Sequence, residues 1–387
     1  MNGRGIDWRV MAIVLISALL AGCGSSTATP SVTPSSAPSA PTQAAPTPTT
    51  ASPQAAPTQT SSAPTASAKP WPTQEWQTAS PAEQGLDPAK LEAMIKAVEE
   101  RRINLQSLLI VRNGYIVSET YFGANTPNTR YHQFSVTKSV VATLVGISID
   151  TGALPDIEQP MLEMLGRTPP EPPTQHLQTM RVKDLLTMRT GWTWTESDAT
   201  YNAMYRSDDW INFMLRLPAS EQPGQRFVYC SGCSHVLAAI VQERTQTPLY
   251  AFAKEKLFEP LGIDSPQWDV DSQGIPIGGW GLWLTPRDMA KFGYLYLNNG
   301  EWDGQQIVSA EWVAESTSLQ ARTGGSLDYG YQWWISERLK GYAAMGRYGQ
   351  TILVLPEQQI IVVTTARIDT HDPIFELVEE FIIPAVQ

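Results

Sequence analysis

Ser135-Val136-Thr137-Lys138 opens an apolar run that continues to Gly146 and has the composition of a helix start. A step of three residues puts the serine and the lysine on one helix face. A serine hydroxyl is a poor nucleophile until a neighbouring base takes its proton. A lysine can be that base only if burial or nearby positive charge lowers its pKa, and a helix N-terminus supplies part of that positive potential. Alone the spacing is a weak signal. Ser-x-x-Lys recurs by chance about once in a few hundred residues, and a helix-capping serine with a solvated lysine explains it equally well.

Two further clusters carry reactive or binding side chains. Tyr229-Cys230-Ser231 follows Pro223-Gly224-Gln225-Arg226-Phe227, and Arg347-Tyr348-Gly349-Gln350 lies between two apolar runs of β type. A tyrosine taken alone is more often a core residue, and an arginine in such a turn more often faces solvent. A glycine there lets another group approach the backbone closely. Cys230 and Cys233 are the only cysteines after Cys23. In an oxidising compartment they would close a small disulfide; the alternative is two reduced, buried thiols. A zinc site would want about four ligands, and there is no second cysteine pair to supply them. His235 nearby is read as structural. No βαβ pattern surrounds the cysteines, which argues against a thioredoxin-like redox role.

The elements that must position these residues are legible around them. Asp87-Pro88 reads as an N-cap and first helical residue, with Leu91, Met94, Ile95 and Val98 as the apolar stripe. Runs at 106–111 and 115–121 flank Asn113-Gly114 and spell a hairpin. The Ser135 helix is expected to reach about residue 150 and stop near Gly152. Residues 153–275 carry helical patterns and Pro-rich loops with little strand signal; the best helices are 184–188, 208–217 and 234–243. Thr285-Pro286-Arg287-Asp288 is a capping box whose helix should end at Asn298-Asn299-Gly300. Runs at 332–336, 341–345, 351–355 and 360–366 read as strands, and a last helix is expected over 373–381. The expected fold class is α+β. One antiparallel sheet is built from strands at both ends of the chain, helices cover its faces, and a mostly helical insert overhangs one edge. The crevice between sheet and insert is where a site belongs.

The N-terminal part reads as targeting and spacing. Arg4 and Arg9 precede a short apolar region at 11–20, too short for a comfortable membrane span. Leu20-Ala21-Gly22-Cys23 resembles a bacterial lipobox, which implies removal of residues 1–22 and lipidation of Cys23; an ordinary cleavable signal is the alternative. Lipid chains would hold the mature protein on a membrane in the cell envelope without spanning it. Residues 23–72 then form a Ser/Thr/Ala/Pro-rich tether that cannot bury a core. Residues 73–387 have ordinary globular composition and suffice for one large domain. The net charge is −11 and there is no basic run, which excludes nucleic acid as the expected partner.

With three motifs in this order, residues 80–385 resemble the serine β-lactamase and penicillin-binding superfamily. The nearest branch is that of class C β-lactamases, family VIII esterases and 6-aminohexanoate-dimer hydrolases. Leu185-Leu186-Thr187-Met188-Arg189 and Gly278-Gly279-Trp280-Gly281-Leu282 add to the resemblance, and Met188-Arg189 is closer to the amide-dimer hydrolase and esterase branch. The resemblance implies that Ser135 is acylated and that Lys138 and Tyr229 move protons. It implies that the backbone amides of Ser135 and Gln350 form an oxyanion hole, and that Ser231, Arg347, Tyr348 and Gly349 contact substrate. Arg347 stands where relatives carry lysine or histidine, which weakens recognition of a β-lactam carboxylate. Trp192, Trp194, Trp280 and Trp283 are candidate pocket walls. No metal or cofactor is implied. The expected activity is hydrolysis of an ester or amide through an acyl-enzyme. A D-alanyl-D-alanine carboxypeptidase, a β-lactamase, a penicillin-sensor protein and a lipid-anchored solute receptor are the alternatives. Receptors alternate strands and helices in two lobes, whereas here the strands gather at the two chain ends.

Overall fold

A computed structural model describes residues 69–387. The expected signal segment, Cys23 and the tether up to residue 68 lie outside the described residues. Ordered packing begins earlier than residue 73: the Trp71 ring lies 5.5 Å from Tyr294 and 5.6 Å from Trp302. The Tyr294 hydroxyl donates to the Pro70 carbonyl at 3.1 Å.

The chain folds around a seven-stranded antiparallel sheet. Its N-terminal hairpin, Leu105–Arg112 and Tyr115–Tyr121, pairs with the C-terminal strand Ile360–Ala366. Gln350–Leu355, Gly341–Gly346, Trp334–Ser336 and Asp328–Tyr329 follow in that order. Asn113 and Gly114 both have positive φ, 52° and 85°, as a two-residue hairpin turn requires. The side-chain alternation divides the interior in two. Leu109, Val111, Ile352, Val354, Ile361 and Val363 enter one core, and Leu108, Ile110, Leu353, Leu355, Ile360 and Val362 enter the other. Because both faces are covered, the strand Ile360–Ala366 is buried along its whole length, and its first four residues, Ile360 to Val363, form a continuous apolar run. The helices Pro88–Glu100 and Asp372–Leu377 cover one face. Asp87 caps the first of them by accepting from Ala89 N at 2.9 Å.

The opposite face carries the helices Val136–Asp150 and Pro286–Leu297. Every residue from Val136 to Ser148 is buried, so the Ser135 helix is a central rod enclosed on all sides, with Lys138, Ser139 and Thr143 among its buried polar residues. Gly146 lets the Trp312 ring approach, since a Cβ there would sit 2.5 Å from it. The insert adds Val182–Leu186, Trp210–Leu215 and Ser231–Thr245, each offset by a few residues from the expected spans. The last of these starts three residues earlier than its apolar pattern suggested, at the residue after Cys230. The insert is less purely helical than its sequence implied. Gln267–Trp268 joins Leu282–Leu284 and Tyr131–His132 in a small sheet. That sheet ties the segment entering Ser135 to the segment after Gly279: Gln133 N donates to Leu282 O at 2.8 Å, and Leu282 N to Thr137 Oγ1 at 3.2 Å.

Candidate active site

Ser135 is the N-cap of the central helix by position, but its backbone is already helical (φ −73°, ψ −6°) and its hydroxyl makes no capping bond. It accepts instead from Lys138 Nζ at 3.0 Å. Lys138 is 1% exposed, and its Nζ also donates to Ser231 Oγ at 2.9 Å and to the Gly279 carbonyl at 2.7 Å. All three hydrogens of an ammonium therefore have acceptors. Burial nevertheless lowers the Lys138 pKa to about 8, with the Glu196 carboxylate pulling it back up. The two residues singled out by spacing thus meet, and the lysine has the shifted pKa that a base needs.

Tyr229 and Ser231 reach the same point from the insert. The Tyr229 ring stacks on Trp334 with centroids 5.6 Å apart, and Lys138 Nζ lies 4.9 Å from the Tyr229 ring centre. Burial pushes the Tyr229 phenol well above its ordinary pKa; the Ser135 hydroxyl beside it lowers it and the Glu196 charge raises it. Burial thus favours the neutral phenol of Tyr229 over the phenolate. The backbone between Tyr229 and Ser231 is fixed at Cys230. Its thiol forms a disulfide with Cys233 of S–S length 2.09 Å, and its amide donates to Met188 Sδ at 3.2 Å. His235, four residues after Ser231, is a buried structural residue: Nε2 faces Asp271 Oδ2 at 3.0 Å, and Gly278 N donates to Nδ1 at 3.4 Å. It holds the strip whose Gly279 carbonyl meets Lys138. Among the described residues no cluster suited to a metal is present.

Glu196 is the site residue that the sequence did not reveal. Its carboxylate accepts from Ser231 Oγ at 2.5 Å, Ser231 N at 2.9 Å and Trp194 Nε1 at 2.8 Å. It thereby anchors the hydroxyl that in turn accepts from Lys138. One acidic residue in a loop of the insert carries no spacing signal; only its position between Trp194 and the helical stretch after it distinguishes it.

The sheet contributes the turn Arg347–Gly349. A Cβ on Gly346 would lie 3.2 Å from Ser135 N and 2.2 Å from Gln133 O, so only glycine lets the strand end approach the nucleophile's amide this closely. Gly346 is in register with Gln350. The Gln350 side chain is turned away and buried, donating to Ala366 O at 3.1 Å. Arg347 is exposed, with its guanidinium 4.8 Å from the Tyr348 ring centre, and among the described residues it forms no ion pair with a carboxylate. Of the candidate tryptophans, Trp192 is core and Trp194 holds Glu196. Trp280 lies in a row with Tyr201 and Trp210, and Trp283 packs on His132. A separate surface cleft of about 500 Å³, lined by Leu319, Arg322, Lys340 and Tyr342 among others, contains none of these site residues.

Comparison with known proteins agrees with this architecture. Residues 91–384 match the family profile described as beta-lactamase. A 6-aminohexanoate-dimer hydrolase of Paenarthrobacter ureafaciens is 26% identical over 315 residues, covering 74% of this chain and 79% of that protein. A penicillin-binding protein homologue from Pyrococcus abyssi, described as octameric, superimposes with a TM-score of 0.58 at 21% identity, over 73% of this chain and 74% of that one. EstCE1, described as a hydrolase with promiscuous acyltransferase activity, gives a TM-score of 0.66 at 15% identity, over 78% of this chain and all of that one. The chain belongs to the beta-lactamase family, within the wider fold of β-lactamases, penicillin-binding proteins and related hydrolases.

Proposed function

We propose that the protein is a serine hydrolase that cleaves an ester or a linear amide through an acyl-enzyme on Ser135. The observation that carries this reading is the 3.0 Å contact between Ser135 Oγ and a buried Lys138 whose pKa lies at about 8. Neutral Lys138 takes the Ser135 proton as Oγ attacks the carbonyl carbon. The oxyanion receives the Ser135 amide and a second backbone N–H from the Gly346–Gln350 turn, where resemblance points to Gln350. The Tyr229 phenol gives its proton to the departing alcohol or amine, and Lys138 returns one to Tyr229. Water then attacks the acyl carbon while neutral Lys138 takes its proton; the C–Oγ bond breaks, Ser135 Oγ receives that proton, and the acyl group leaves as the carboxylic acid. No metal or cofactor takes part in this scheme. Lipidation at Cys23 would place the activity on an envelope membrane.

The preference for esters and linear amides draws on the similarity to the amide-dimer hydrolase and on arginine in place of lysine at position 347. A carboxypeptidase acting on D-alanyl peptides is the second reading, favoured by the likeness in fold to a penicillin-binding protein homologue. The test is turnover by wild-type protein and Ser135→Ala on p-nitrophenyl esters, linear amides and D-alanyl peptides. The wild type should hydrolyse at least one class and the variant none. Equal turnover by the variant would contradict the scheme.

A further inference from the structure

Two bulky residues beside the nucleophile occupy a backbone region that L-residues avoid. Phe134, immediately before Ser135, has φ 48°, and Tyr348 has φ 67°. An aromatic residue in this region is a true outlier, and such outliers persist where the surroundings over-determine them, commonly at functional sites. Here the surroundings do so. Tyr348 O accepts from Ile368 N at 3.2 Å, and Phe134 N donates to His132 Nδ1 at 3.3 Å. The two rings meet edge to face with centroids 5.3 Å apart, and His132 closes the other side of Phe134 at 4.1 Å.

Burial does not explain these rings. Neither Phe134 nor Tyr348 packs against either hydrophobic core, and Tyr348 is 38% exposed. Glycine or asparagine would satisfy the Tyr348 backbone with less strain. The rings instead flank the two backbone segments that converge on Ser135 N, namely Phe134–Ser135 and Gly346–Gln350. We propose that Phe134 and Tyr348 form an aromatic ledge that receives a flat, apolar portion of the substrate, such as an aryl group of the ester or amide being cleaved. Edge-to-face and stacked contacts favour an aryl partner over an alkyl chain of equal area. The exposed Arg347 guanidinium on the Tyr348 ring leaves an adjacent cation for a polar substituent. This deepens the hydrolase reading and rests on it.

The test uses the full chain as wild type, Tyr348→Phe and Tyr348→Asn. Asparagine tolerates the left-handed conformation, so that variant keeps or raises the Tm while losing the ring. Two matched substrate pairs are compared: p-nitrophenyl phenylacetate with p-nitrophenyl butyrate, and phenyl acetate with ethyl acetate. The kcat/KM ratio of aryl to alkyl should fall about tenfold in at least one pair for Tyr348→Asn, a contact difference near 1.4 kcal/mol, and stay within about twofold for Tyr348→Phe. Unchanged ratios in both pairs would overturn the ledge, as would a lowered Tm with all substrates losing equally. A fluorophosphonate label on Ser135 separates the two readings. A labelled wild type with unchanged ratios sinks only the ledge; an unlabelled, folded wild type sinks the hydrolase.

Discussion

At the scale of single residues, the site is a chain of polar contacts ending on one carboxylate. Lys138 touches Ser135 and Ser231, and Ser231 touches Glu196. The sign of the pH dependence follows. Attack needs neutral Lys138, so kcat/KM should rise as pH passes through about 8. The Glu196 charge holds the proton on Lys138, so Glu196→Gln should move that limb to lower pH while the variant remains folded. A pH–rate profile measures both. A limb that stays fixed, or moves up, would disconnect Glu196 from the base. In the proposed scheme the lysine acts as base and the Tyr229 phenol, whose burial disfavours the phenolate, acts as acid.

At the scale of elements, what holds the motifs together is a set of buried polar bridges. Gln332 is the main one. Its Nε2 donates to the carbonyls of Leu185 and Leu186 at 3.1 and 2.9 Å. Its Oε1 accepts from Ser234, and its backbone carbonyl from Ser139, at 2.6 and 2.7 Å. It thus joins the central helix, the Ser231 helix and the segment that carries Met188. Gln332→Leu leaves several buried groups unpartnered and should destabilise the protein by roughly 2–4 kcal/mol, read from denaturant unfolding. A change below about 0.5 kcal/mol would show that water replaces the bridge. This bridge marks where sequence reading stopped. Gln332 looked like the start of a strand, but the strand begins at Trp334 and Gln332 itself has φ 61°. The long amphipathic and apolar runs, the Asn113-Gly114 turn and the Thr285 capping box were legible because their signals are local. The strands Tyr131–His132 and Gln267–Trp268 are too short to show a period, though they help set the distance from Ser135 to Gly279. The Ser231 helix was started late because Cys230, not an ordinary capping residue, is its N-cap. Ser135, Lys138 and Tyr229 were singled out by type, spacing and resemblance and lie together in the fold, whereas Glu196 joins them through tertiary folding alone.

At the scale of the whole molecule, strands from both ends of the described residues build the sheet and the insert builds the opposite wall, so the candidate site lies where the three parts meet. The segment before the first helix is part of this body. Trp71 packs on Tyr294 and Trp302, and Trp76 is 8% exposed with its Nε1 donating to Arg287 O at 3.2 Å. A fragment starting at residue 78 should therefore be less stable than one starting at residue 69 by roughly 3–5 kcal/mol. Equal midpoints for the two fragments would place both tryptophans outside the cooperative unit. The central claim is that Ser135 is an activated nucleophile, and covalent labelling tests it most directly. Full-length protein is treated with a fluorophosphonate, its intact mass is measured and the adduct is mapped, with Ser135→Ala and Lys138→Met alongside. One adduct, on Ser135, absent from the first variant and strongly slowed in the second, is the expected result. A folded wild type that takes no adduct, or takes it on another residue, would contradict the account.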